Sequence, residues 1–213
     1  MDEALEVRQF WFGKVPLKPE GVEARLALWF GGDAEEQHRT DELVRSRFGV
    51  LIGRAAAGEL AAWADSPRRR LSLILLLDQF PRHVYRATER AFATDRDALA
   101  LTLSGMQSAA DAALTPVERI FFYMPLQHAE LRDAQEESVA AYRRLLDESP
   151  RELKAIFASA LESAELHRSI VARFGRFPHR NRLLERRDTA EEETYLKQGN
   201  RTFGQVNSDR RAD

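Results

Sequence analysis

The sequence predicts an all-α protein, an irregular array of antiparallel helix pairs. Two observations carry this. Strand signals are nearly absent: no segment sustains a two-residue alternation, and no Asn-Gly or Asp-Gly hairpin turn occurs. Helix signals recur along the whole chain, as apolar positions at 3.6-residue spacing behind explicit capping residues.

The elements follow in order. Asp2 caps a first helix carrying Leu5, Phe10, Trp11 and Phe12, which stops near Gly13. Pro16 and Pro19 mark a loop, and a second aromatic cluster, Leu28-Trp29-Phe30, ends at Gly31-Gly32. A long helix from about Glu35 carries Leu43, Val44, Phe48, Leu51 and Ile52 and ends near Gly58. Leu60 to Trp63 is a short helical segment. Ser66-Pro67 opens an apolar helix that ends at Asp78. Thr94-Asp95-Arg96-Asp97 resembles a capping box. Thr115-Pro116-Val117-Glu118 combines a capping threonine, a proline at the first helical position and a reciprocal glutamate. Ser149-Pro150-Arg151-Glu152 repeats that grammar and opens a helix to about Phe174, and Thr189 to Glu192 caps a last one reaching Leu196. Residues 1–206 are expected to form one helical domain, and the polar tail 207–213 to be disordered.

Composition excludes several classes. The chain has no cysteine, so disulfides, thiolate catalysis and Cys-ligated metal sites are out. The net charge of −2 gives no global field for nucleic acid, which is not expected as a partner. Of 32 basic residues only Lys14, Lys18, Lys154 and Lys197 are lysine; the other 28 are arginine, the better fork for carboxylate or phosphate. The longest apolar run, Leu71 to Leu77, falls far short of the roughly 20 residues that span a bilayer. The acidic start Met1-Asp2-Glu3 is no secretion signal, and a soluble cytoplasmic protein with no membrane partner is expected. Dinucleotide, Walker and nucleophile-elbow motifs are absent, and no cofactor is expected.

Three polar groups are candidate sites. Arg173-Phe174-Gly175-Arg176-Phe177-Pro178-His179-Arg180-Asn181-Arg182 sets basic residues around two phenylalanines at a helix end. Asp78-Gln79-Phe80-Pro81-Arg82-His83-Val84-Tyr85-Arg86 echoes it, each segment being expected to break its helix at Phe-Pro. In the third group, Pro125 kinks or separates two helices just before Gln127, His128 and Glu130. Metal ligation by His128, Glu130 and His167 is disfavoured, because neither histidine stands in a Glu-x-x-His or His-Glu-x-x-His spacing.

The first functional reading is a binding module for an anionic small molecule or a peptide carboxylate. Arg82, Arg86, Arg176 and Arg180 would recognise charge, Gln79 and Asn181 would fix orientation, and Asp78 would position an arginine. The second is a hydrolase or transferase with His128 or His179 as acid or base and Glu130 as partner. The third is a scaffold for other proteins, in which ion pairs tie the helices. Both Phe-Pro segments are expected to meet in one pocket, and oligomeric state is left open.

These residues also carry a resemblance. Phe10-Trp11-Phe12-Gly13, Leu77 to Arg82, Arg90 to Asp95, Glu118-Arg119, Tyr123 to Glu130 and Arg173 to Asn181 occur in the order seen in the bacterial domain-of-unknown-function 924 family. The likeness runs from about Phe10 to Leu196 and implies a tetratricopeptide-like, all-α array of helix pairs; it implies no activity. The chain departs from the family pattern at Ala129, where the family usually has serine, and at Asp133-Ala134-Gln135, which splits an Asp-Gln pair.

Overall fold

The computed structural model describes residues 2–198, and every regular element among them is helical. The expected tail at 207–213 lies outside the described residues. Caps account for most boundaries. Asp2 accepts from the Ala4 amide at 3.1 Å to start α1 (Glu3–Phe12), and Gly13 closes it at φ 68°, a conformation that favours glycine. After α2 (Pro19–Glu23) and α3 (Leu26–Phe30), Asp33 caps α4 (Ala34–Ala56) by accepting from Glu36 N at 2.8 Å. Then follow α5 (Pro67–Leu77), α6 (Gln79–Val84), α7 (Asp95–Gln107), α8 (Pro116–His128), α9 (Arg132–Glu148), α10 (Lys154–Phe174) and α11 (Ala190–Lys197). The capping boxes at Thr115/Glu118 and Thr189/Glu192 are both formed. With helices of five to 23 residues, the tetratricopeptide description applies only loosely.

Four local readings need correction. The helix does not break at Phe80-Pro81: the break is at Asp78, and Pro81 sits in the first turn of α6, where its missing N–H is no loss. Pro125 lies inside α8 and does not divide it. Thr94 does not cap α7; its hydroxyl donates to Leu77 O at 2.5 Å and ties the start of α7 to the end of α5. Ser149 opens no α-helix directly: a 3-10 turn at Arg151–Leu153 precedes α10, and the serine hydroxyl donates back to Leu146 O.

The apolar run of α5 explains its place at the centre, against α1, α4, α7 and α8. Leu71, Ile74, Leu75 and Leu76 are fully buried, each stabilising the fold by about 1.5–3 kcal/mol through removal from water. Aromatic side chains join helices distant in sequence: Phe121 of α8 lies 4.9 Å from Trp29 of α3 and 5.5 Å from Trp11 of α1, and Trp11 lies 5.5 Å from Phe80 of α6. α7 and α8 approach closely at Gly105, where an added Cβ would stand 2.6 Å from the Phe122 ring. α10 packs along α9 and touches α8, which brings its inner face to the far side of the aromatic cluster. No helix among the described residues is long and apolar enough to cross a membrane.

Candidate functional site

The break between α5 and α6 sets one carboxylate in the interior. Asp78 ends a run of leucines, so its side chain is fully buried. A buried charge needs partners, and three arrive. Gln79 Nε2 lies 2.5 Å from Oδ2, His128 Nδ1 lies 2.7 Å from Oδ1, and Arg82 Nη1 lies 3.3 Å from Oδ1 while donating to the Asp78 carbonyl at 2.6 Å. Burial alone would raise the Asp78 pKa; the Arg82 cation and the hydrogen bonds from His128 and Gln79 outweigh it and hold the carboxyl well below the usual range. For His128 burial and the Arg82 cation dominate and push the imidazole pKa down, against the pull of Asp78. A neutral imidazole beside an ionised carboxylate carries its proton on Nδ1, where it donates to Asp78, so Nε2 is left with its lone pair.

His128 forms part of the wall of a cavity of about 860 Å³. Its apolar side comes from Trp29, Phe30, Met124 and Leu166, its polar side from Gln37, Gln79, Arg82, His83, Arg86 and Gln127, and α10 closes it with Ser159, Ser163 and His167. A second carboxylate–histidine pair stands behind this wall. His83 Nδ1 lies 2.8 Å from Asp41 Oδ1, and Asp41 also receives Arg86 Nε at 2.6 Å, Arg86 Nη2 at 2.9 Å and Gln37 Nε2 at 3.1 Å. Burial opposes ionisation of Asp41, but these donors and charges lower its pKa to about 2. His167 Nδ1 is 2.7 Å from the Ser163 carbonyl, and burial together with nearby His128 lowers its pKa to about 3.

Of the residues singled out in the sequence, Gln79, Arg82, Arg86 and His128 line this cavity, with Asp78 immediately behind. The second Phe-Pro segment reaches the first through Asp95, whose Oδ2 receives Arg82 Nη2 at 3.0 Å and Arg180 Nη1 at 3.2 Å. Its residues do not line the cavity. Arg180 is buried between the rings of Phe92 and Phe177, with its guanidinium carbon 4.5 and 4.6 Å from their centroids, and burial lowers its pKa to about 10. Arg176 grips Glu192 with two bonds of 2.6 and 2.7 Å. Asn181 donates to Asp188 at 2.7 Å and accepts from Arg186 Nε at 2.9 Å. His179 is half-buried beside Arg180, and desolvation together with the Arg180 cation lowers its pKa to about 3. Glu130 is not the partner of His128: Arg186 holds it at 2.6 and 2.9 Å, and the Phe177 amide donates to it at 2.8 Å.

The family described as bacterial protein of unknown function (DUF924) matches residues 7–200. The chain belongs to this family. The DUF924 chain is also similar to a solved structure, a protein of unknown function, ATU0120, from Agrobacterium tumefaciens. The two share 35% identity and a TM-score of 0.76, with 92% of this chain and 97% of that one covered. Among functionally curated proteins, none matches. At this DUF924 member's departures from the family pattern, Ala129 is a buried residue ending α8, and Gln135 Nε2 points at the carbonyls of Leu126, Gln127 and Ala129 at 3.4, 2.8 and 2.7 Å. That amide satisfies the orphan end of the helix that carries His128.

Sequence reasoning placed His83 in the first segment but not among site residues, and it missed Asp41, Gln37, Asp95 and Ser163. Asp41 sits on α4, 42 residues from His83, in a stretch whose other charges face solvent. Its only local mark is a carboxylate on the apolar side of an amphipathic helix, three residues before Val44.

Proposed function

We propose that this protein is an enzyme whose acid–base group is His128, oriented by Asp78, acting on a small molecule held in the 860 Å³ cavity. The observation that carries this reading is the 2.7 Å contact between His128 Nδ1 and a fully buried carboxylate, with His128 on the cavity wall. Asp78 fixes the tautomer and orientation of the ring and stabilises the imidazolium that forms when Nε2 takes a proton. Because its pKa is depressed, His128 is neutral near pH 7 and ready to act as a base. Hydrolysis and group transfer both use such a base.

A binding module for an anion is the weaker reading. Arg82 and Arg86 line the cavity, but each already faces a carboxylate.

The test is a substrate screen of wild type beside His128→Gln, across chromogenic esters, phosphoesters and glycosides. Glutamine keeps an amide donor for Asp78, so the variant is expected to melt near wild type. An activity that falls at least about 100-fold in the variant supports the reading. Turnover that is unchanged in His128→Gln, or absent in every class, removes the acid–base role.

A further inference from the structure

We infer that the cavity selects a hydrogen-bond donor: an uncharged small molecule that offers a hydroxyl or amino group from an apolar body. This deepens the acid–base reading above and rests on it. The argument starts from what stands behind the wall. A carboxylate can only accept, so any group bonded to it must turn a donor toward it. Gln79 therefore gives its amide nitrogen to Asp78 at 2.5 Å, and Gln37 gives its own to Asp41 at 3.1 Å. In each the carbonyl Oε1 is the amide atom not turned to the carboxylate, on a residue that lines the cavity. His128 gives Nδ1 to Asp78 and keeps the Nε2 lone pair. Gln79, Gln37 and His128 are thus three acceptor-bearing side chains of the cavity lining that two buried carboxylates hold in place.

The cations on that wall do not reverse its character. Arg86 holds Asp41 through Nε and Nη2 at 2.6 and 2.9 Å, and Arg82 lies between Asp78 and Asp95 at 3.3 and 2.9 Å. Their charge is offset by carboxylates already in place, so an anion entering here meets acceptor lone pairs and compensated guanidinium groups. An O–H or N–H meets three matched partners. Trp29, Phe30, Met124 and Leu166 take the apolar body. In the reacting complex the substrate O–H bond to hydrogen breaks, the proton forms a bond to His128 Nε2, and the electron pair stays on the substrate oxygen. The Nδ1 proton stays on the imidazolium, hydrogen-bonded to Asp78.

The experiment is a saturation-transfer NMR titration of the full chain with three probes of one shape: 1-phenylethanol, acetophenone and benzoate. The alcohol should bind about tenfold tighter than the ketone or the carboxylate, the factor of one hydrogen bond whose loss leaves a buried acceptor unmatched. Ketone or benzoate binding as tightly as the alcohol overturns the inference, as does no binding by any probe. Gln37→Met, at a half-buried site, removes one acceptor and should bring alcohol and ketone closer together; an unchanged ratio overturns the three-acceptor basis. These titrations read equilibrium binding only. Equal binding of alcohol and ketone, with turnover still lost in His128→Gln, sinks the donor rule alone. A donor preference with turnover intact in His128→Gln sinks the acid–base role alone.

Discussion

The two Phe-Pro segments share a sequence grammar and end in opposite circumstances. In the first, Gln79, Arg82, His83 and Arg86 line the cavity from α6 and the turn after it. In the second, Arg180 is sandwiched between two rings, Arg176 is clamped to Glu192, and Asn181 is bonded on both sides. The difference comes from what each segment packs against. The first follows the stretch of α5 that is buried all round, Leu71 to Leu77, and its polar side chains line the cavity left between α3, α8 and α10. The second closes over the first, and its Arg176, Arg180 and Asn181 each meet protein partners. Arginine and histidine at a helix end are thus an ambiguous sign; the partner behind each side chain decides its role.

The largest expected effect tests the point where the segments meet. Asp95→Ala leaves the buried Arg180 and the partly buried Arg82 without their shared carboxylate and should cost about 3–5 kcal/mol by chemical denaturation. A loss under about 1 kcal/mol would mean that the two segments are held together by apolar packing alone.

Acid should act next, and mainly on His167 and His179. His167 and His179 titrate near 3 in the folded chain because burial and neighbouring charges disfavour their cations, against about 6.5 when unfolded. Below pH 6.5 the unfolded chain therefore binds more protons, and stability falls with pH down to about 3. At pH 5 each histidine should cost about 2 kcal/mol. Urea melts at pH 7 and pH 5 read the sum. His179→Gln should flatten part of the slope while leaving 1-phenylethanol binding unchanged, which sharpens the contrast between segments.

The paired substitutions Arg86→Gln and Arg180→Gln separate the roles directly. The first should alter probe affinity several-fold, because Arg86 lines the cavity and holds Asp41. The second should lower the melting temperature and leave affinity alone. The smallest effect is expected at Arg173, which pairs with Glu191 on the surface: Arg173→Ala should change stability by no more than about 0.5 kcal/mol in a denaturant titration.

Much of the fold was legible in the sequence because caps are local. Asp2, the Thr115/Glu118 box and the Thr189/Glu192 box each act within four residues, and the structure keeps all three. The exceptions show where locality ends. Proline at 81 reads as a breaker, yet it is harmless in a first turn, and only the Asp78 break puts it there. Thr94 reads as a cap, yet a carbonyl of α5 claims its hydroxyl. The candidate site was less legible for the same reason. Asp78 and His128 were both singled out, but their pairing spans 50 residues, and His128 had been matched with Glu130, its neighbour in sequence. That glutamate turns the other way because Arg186, 56 residues later, needs it.

The cavity wall also has an order of completion. Its first contributors, Trp29 and Phe30, precede its last, Leu166 and His167, by more than a hundred positions. A chain that has emerged only through α9 contains Asp78 and His128 but lacks the residues of α10 that line the cavity. Docking of α10 supplies them. Whatever the cavity holds, a partly made chain cannot yet enclose it, so function and completion of the helical array arrive together.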